Sequence, residues 1–171
     1  IRHCNVSTNS HGKIRPDWFS REGCLKNLLS TTKEKEVKIT AMFDGKPTKD
    51  HFLNNYDIPT VFASGGTDGH SFLNLVNYVN DQNIDTEDIV YFLEDDYMHA
   101  PGWVDIMKEG FTNINAEYMT LYDHKDKYFL PAYNNLTSKV IATPSVHWRT
   151  TPSTTNTYAC RFKTFKKHIL I

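Results

Sequence analysis

A chain of 171 residues with 39% hydrophobic and 13% aromatic content is long and apolar enough to bury a core, and its length fits one domain. A formal net charge of −1 excludes a global field that would draw it to nucleic acid or an anionic membrane. No apolar run reaches the roughly 18 residues of a membrane helix, so no membrane segment is expected.

Three cysteines, Cys4, Cys24 and Cys160, are an odd number without a C-x-x-C pair. That argues against a disulfide framework or a structural zinc site and makes a reducing, cytoplasmic compartment the default expectation. The sequons Asn5-Val6-Ser7 and Asn135-Leu136-Thr137 are of a kind that arises often by chance. No secretory leader is visible. The ending "KKHILI" stops on apolar residues, from which further chain is expected to follow.

In chain order, residues 1–8 alternate in polarity and predict a first strand. "SHGKIRPDWF" follows as a loop. Pro16 suits a first helical position, and Trp18, Cys24, Leu25, Leu28 and Leu29 recur at helical spacing, predicting a helix over about 16–30. "VKITAMFDG" (37–45) predicts a strand ending in the turn pair Asp44-Gly45. "PTVFASGG" (59–66) predicts a third strand with a glycine exit. In 70–81, Phe72, Leu75, Val76 and Val79 line one helical face.

"EDIVYFLEDD" is the most strand-like segment, and Pro101 stands near the start of a helix carrying Val104, Met107 and Phe111 on one side. Residues 116–124 and 138–151 predict two further strands, and 154–169 a last helix. The alternation through the first 110 residues predicts an α/β fold with a central, mainly parallel sheet flanked by helices. The later, strand-rich part can add mixed or antiparallel strands.

The stretch "VYFLEDDYMHAPGW" (90–103) drives an apolar strand straight into Glu94, Asp95 and Asp96. In a parallel α/β sheet the carboxyl ends of the strands form the ligand crevice. Three adjacent carboxylates repel one another unless a cation is present, and oxygen donors suit Mg²⁺ or Mn²⁺. Such ions take one or two protein carboxylates and leave other positions to water and phosphate. This predicts a divalent metal bridging the protein to a diphosphate. The same acids read as helix caps or turn formers.

The stretch resembles the Asp-x-Asp metal-binding motif of nucleotide-sugar glycosyltransferases with the GT-A fold. Its Glu-Asp-Asp form, followed by a short loop, a proline and an aromatic residue, is similar to that of Golgi N-acetylglucosaminyltransferases. Glycosyltransferases of large algal viruses are similar in style. The resemblance covers the strand and helix order up to about residue 125. It implies a single glycosyltransferase catalytic domain that uses Mn²⁺ or Mg²⁺, a UDP-sugar donor and a glycan or glycoprotein acceptor. Asp96 would coordinate the metal. Asp95 or Glu94 would contact the ribose or the sugar, or reach the ion through water; Glu94 departs from the strict motif, which puts its direct ligation in doubt.

The resemblance assigns further residues. Thr8, Asn9, Ser10 and Arg15 would line the nucleotide pocket, arginine pairing well with phosphate. Asp44 would accept from the base, although Asp-Gly is also a plain turn signal. In the glycine-rich "SGGTDGHS" (64–71), Asp68, Gly69 and Ser71 would approach the nucleotide and sugar, with backbone N–H groups near the phosphates; a simple connector reads equally well.

Asp123 and His124 would touch the donor sugar or the acceptor, and Asp123 is the candidate catalytic base. His147 is a candidate further metal ligand or acceptor contact. Trp148, beside Arg149, suits stacking on a sugar face. Arg161, Lys163, Lys166 and Lys167 read as a solvated helix face. Other readings are a nucleotidyltransferase, or a nucleotide- or carbohydrate-binding module without turnover.

Overall fold

The computed structural model describes residues 1–4, 14–32, 35, 37–46, 48–154 and 157–169. The chain divides into two compact units, residues 1–84 with 92–101, and residues 85–91 with 102–171. The architecture is mixed α/β, with a small parallel three-stranded sheet and flanking helices.

In the first unit, β1 (Arg2–Cys4), β2 (Ala41–Asp44) and β3 (Thr60–Ala63) lie parallel in that order. The register is Cys4 to Asp44 to Ala63, so the three carboxyl ends are level. On the free side of β1, Glu94 forms a parallel bridge to Arg2, and the Arg2 N–H donates to the Leu93 carbonyl at 2.7 Å. The chain thus adds β2 and β3 on one flank of β1 and returns to its other flank at Leu93–Glu94.

Helix α1 (Arg21–Thr31) is capped by Ser20, whose hydroxyl accepts from the Gly23 N–H at 2.9 Å. It buries Cys24, Leu25 and Leu28. Leu25 packs with Ala41, Phe43 and Leu53 in a cluster flanked by Ile1, Leu29, Phe52, Tyr56 and Ile58. Each such large side chain contributes about 2 kcal/mol on burial. The expected start at Pro16 is corrected: the helix opens five residues later, and Trp18 is exposed. Ser20 supplies the start signal, because a hydroxyl satisfies an orphan N–H while proline satisfies none. Helix α2 (Asp68–Asn80) is capped by Thr67, which accepts from the His70 N–H at 3.2 Å. It agrees with the expected helix to within two residues.

In the second unit, β4 (Ile89–Phe92, of which Phe92 belongs to the first unit) neighbours β8 (Tyr158–Arg161), and β8 pairs antiparallel with β5 (Tyr118–Met119). Helix α3 (Trp103–Asn113) buries Trp103, Val104, Met107, Gly110 and Phe111 at three- and four-residue spacing. Its N-cap, Gly102, has φ +82°, a left-handed conformation that glycine adopts without steric cost. Met107 and Phe111 pack with Met119 and Ala159.

Three expectations are corrected in this unit. The strand over 138–151 is a hairpin, β6 (Val140–Ala142) against β7 (His147–Arg149), turning through Pro144 and Ser145. The strand over 116–124 contracts to β5, and residues Asp126–Phe129 form a single-turn helix α4. The helix over 154–169 divides into β8 followed directly by α5 (Phe162–His168), since pairing with β5 outweighs the local helical pattern.

Candidate functional site

The level carboxyl ends of β1 and β2, together with the turn after Glu94, gather the charged side chains of the first unit. Glu94 is met by Arg2, whose guanidinium also reaches Asp68 in the first turn of α2, at 2.6 Å to the carboxylate and 3.0 Å to the Asp68 carbonyl. Arg2 is only 8% exposed. Burial works against its charge, but the bonds to Asp68 and Glu94 outweigh it, and its pKa is raised. Asp96 accepts from Arg15 at 2.6 Å, and Arg15 also lies over the Phe19 ring at 4.4 Å. Asp95 is engaged by His3 Nδ1 and by Arg21 Nε, the latter at 3.1 Å.

The three acids predicted from the sequence are therefore brought together, and each one has a cationic or imidazole partner. The mutual repulsion that suggested a metal is balanced by three guanidinium groups. The donors are hard carboxylate oxygens, as Mg²⁺ or Mn²⁺ requires. Among the described residues, no group of three or more His, Cys, Asp or Glu is arranged to hold a metal ion. Asp96 differs from the other two acids in that its partner Arg15 comes from a loop. An ion there competes with that arginine.

Asp44 ends β2 and accepts from the Gly65 N–H at 2.8 Å. A Cβ on Gly65 would stand 2.5 Å from the Ser71 backbone nitrogen and 2.8 Å from an Asp44 oxygen. Only glycine lets the loop after β3 fold this closely onto α2. Ser71 is buried beneath that loop, and Gly69 stands in the open in the first turn of α2. Thr8, Asn9 and Ser10 lie outside the described residues.

Asp123 and His147 belong to the second unit. The Asp123 carboxylate is forked by Arg149 and accepts from the Tyr128 hydroxyl. The hydrogen bond from Arg149 holds its pKa below the usual carboxylate range, which makes it a weak proton acceptor near neutral pH. His124 pairs with Asp126 at 2.9 Å. His147 is exposed on β7, opposite Ala142. Trp148 is corrected from an open stacking platform to a packing residue: it is partly buried against the Met107–Phe111–Met119 cluster. Its Nε1 donates to Thr143 at 3.3 Å. Arg161 and Lys163 grip Glu87, and Lys167 pairs with Glu117.

Sequence reasoning missed Arg2, His3, Arg21, His51 and Asn27. Arg2 and His3 were read as part of a strand of alternating polarity, and the acids they meet, Glu94 and Asp95, stand more than ninety residues away. Asn27 clamps the backbone of His99: its side-chain amide donates to the His99 carbonyl at 3.1 Å and accepts from the His99 N–H at 2.6 Å. This pins the chain just after the acids to the middle of α1. His99 itself is buried, and burial lowers its pKa to about 4.

Beside these groups runs a cleft of about 500 Å³ lined by His3, Arg21, Glu22, Asp50, His51 and Phe52, among others. That volume is in the range of small-molecule sites. No family model, curated protein or solved structure matches this chain.

Proposed function

We propose that the chain is a nucleotide-sugar glycosyltransferase domain of GT-A-like architecture, moving a sugar from a nucleoside diphosphate, best a UDP-sugar, to a hydroxyl of a glycan or glycoprotein. One observation carries the reading: Glu94, Asp95 and Asp96 leave the sheet where the order of strand addition reverses around β1. Ligands of open α/β sheets bind outside the carboxyl ends at such a reversal. Three guanidinium groups converge there, and arginine forks match phosphate oxygens.

In this reading Arg15 and Arg21 meet the diphosphate and stabilise the charge that builds on it as the sugar leaves. Asp95 and Glu94 face the ribose or sugar hydroxyls, and Asp44 the base. Asp96 is the residue that would hold a divalent ion, which when bound would supply further charge neutralisation. The complete pairing of the acids favours a second reading, a nucleotide-binding module without turnover.

A thermal-shift screen of nucleotides and nucleotide sugars, with Mn²⁺ or with chelator, tests the proposal. UDP compounds are expected to raise Tm, and more so with Mn²⁺ than with chelator. Asp96→Ala should remove the cation-dependent part only. Release of free sugar from labelled donor separates an enzyme from a binding module. No shift with any nucleotide under either condition would sink both readings.

A further inference from the structure

His3 and His51 form an internal chain that reaches the acids from behind. His3 lies in β1 and is 3% exposed; His51 precedes the short 3-10 helix Phe52–Asn55 and is 9% exposed. Phe43 and Phe52 enclose both rings, with centroids 4.5 to 5.2 Å away. His51 caps the 3-10 helix: its Nδ1 accepts from the Leu53 N–H at 3.2 Å. The two Nε2 atoms face each other at 3.1 Å. His3 Nδ1 then meets the Asp95 carboxylate.

The cap contact orders the protons along the whole chain. A nitrogen that accepts from a backbone N–H carries no hydrogen, so neutral His51 has its proton on Nε2. That proton is donated to His3 Nε2, which must be bare. The His3 proton is therefore on Nδ1, aimed at Asp95. A metal between the two rings is disfavoured by the same contact. An Nε2-ligated imidazole keeps its proton on Nδ1 and donates from it, whereas here the Leu53 N–H occupies that position.

We propose that His51 and His3 are positioning residues, a two-imidazole hydrogen-bond chain that fixes the orientation of Asp95 at the strand reversal from the cap of the Phe52–Asn55 helix. The role of Asp95 as a donor contact rests on the function proposed above; the chain itself does not. Asp95 sits in a turn, outside any strand, so its carboxylate is placed by its side-chain partners. His3 holds one oxygen from within the core, and Arg21 approaches the same oxygen from α1. Asp50 and Glu22 are the other acidic groups that line the adjoining cleft. A second proton on His3 would set two N–H groups against each other at 3.1 Å and break the chain in the middle, and one on His51 would set Nδ1–H against the Leu53 N–H and break the cap contact. Burial holds His51 below its ordinary pKa, consistent with a neutral His51 near pH 7.

Nitrogen-15 NMR of the imidazoles in the intact protein, with carbon-13 observation of the Asp95 carboxylate, reads this directly. At pH 7.5 His51 should show the Nε2–H tautomer and His3 the Nδ1–H tautomer. His51→Gln, whose amide can still donate to His3, should leave the His3 and Asp95 signals close to those of the parent. His51→Phe should shift both, although residues 51 and 95 do not touch. A proton on His51 Nδ1, or an Asp95 signal unmoved in a folded His51→Phe, would overturn the proposal. Should His51→Phe fail to fold, the parent tautomers and the His51→Gln spectrum decide alone. With UDP-sugar, His51→Phe should weaken binding about tenfold, the equivalent of one hydrogen bond, and His51→Gln should restore it. If no nucleotide binds while the tautomers are as stated, the functional reading fails and the positioning chain stands.

Discussion

Each unit builds an arginine into a carboxylate network, and the two arginines differ in what surrounds them. Arg2 is buried in β1 and joins Glu94 to Asp68. Arg149 on β7 is more exposed, at 21%, and forks Asp123, which is 51% exposed. The bonds are alike and the surroundings are opposite. Water and salt screen the second pair, so its net worth is small. Around Arg2 little water remains, and losing the guanidinium removes the charge that both Glu94 and Asp68 pair with. Burial, not bond count, decides which network holds its unit together.

Breaking Arg2 should therefore have the largest effect. Arg2→Met, which keeps the stem and removes the charge, is expected to lower stability by about 3–5 kcal/mol in urea unfolding; a loss near that of Arg149→Met would erase the distinction between the units. Acid should be nearly as damaging to the first unit. His99 has a folded pKa of about 4 against an ordinary value of about 6.5. The unfolded chain takes up the proton first as pH falls. Stability is thus fully present above about pH 6.5 and declines toward pH 4, by up to about 3 kcal/mol. Thermal melts across that range check the slope, and His99→Gln should flatten it.

Two glycines sharpen the comparison. A Cβ on Gly65 meets backbone atoms of Ser71, which cannot yield without moving α2. Gly65→Ala should cost about 2–3 kcal/mol and loosen Asp44. At Gly110 the obstacles are the side chains of Trp148 and Met119, at 2.8 and 2.9 Å. Methionine can turn aside, and alanine favours the helix by about 1 kcal/mol. Gly110→Ala should cost about 1 kcal/mol or less by the same assay. The smallest change is expected from Arg149→Met, under about 1 kcal/mol, and 1 M salt should shrink it further. A large, salt-independent loss there would mean that the Asp123 network is not the exposed one.

The legible parts of the fold were those written in local pattern. The spacing of Leu25 and Leu28, of Leu75 and Val79, and of Met107 and Phe111 marks three helices. The apolar runs at 41–44 and 89–92 mark strands. Where pattern failed, a distant partner decided. Tyr158–Arg161 is a strand because β5 and β4 flank it, with no turn residue between it and α5. The hairpin of β6 and β7 was announced by Pro144-Ser145 and overlooked inside an otherwise continuous run.

The acids of the site were visible because they are consecutive. Their partners were not, since nothing local in "IRHC" says that its arginine and histidine will meet residues 94 and 95. Only the pairing of β1 with the returning chain creates that contact. Arg15 was singled out for its affinity for phosphate; its contact with Asp96 is one that its sequence neighbours do not encode.

The grip of Asn27 on His99 has a consequence for how this region responds to a visitor. One amide side chain fills the role of an adjacent strand, so the segment leaving the acids and the first long helix travel as a coupled pair. A molecule that tugs on residues 94–96 is felt at α1 through Asn27 as well as through Arg21, and deuterium uptake at the His99 amide would register its arrival.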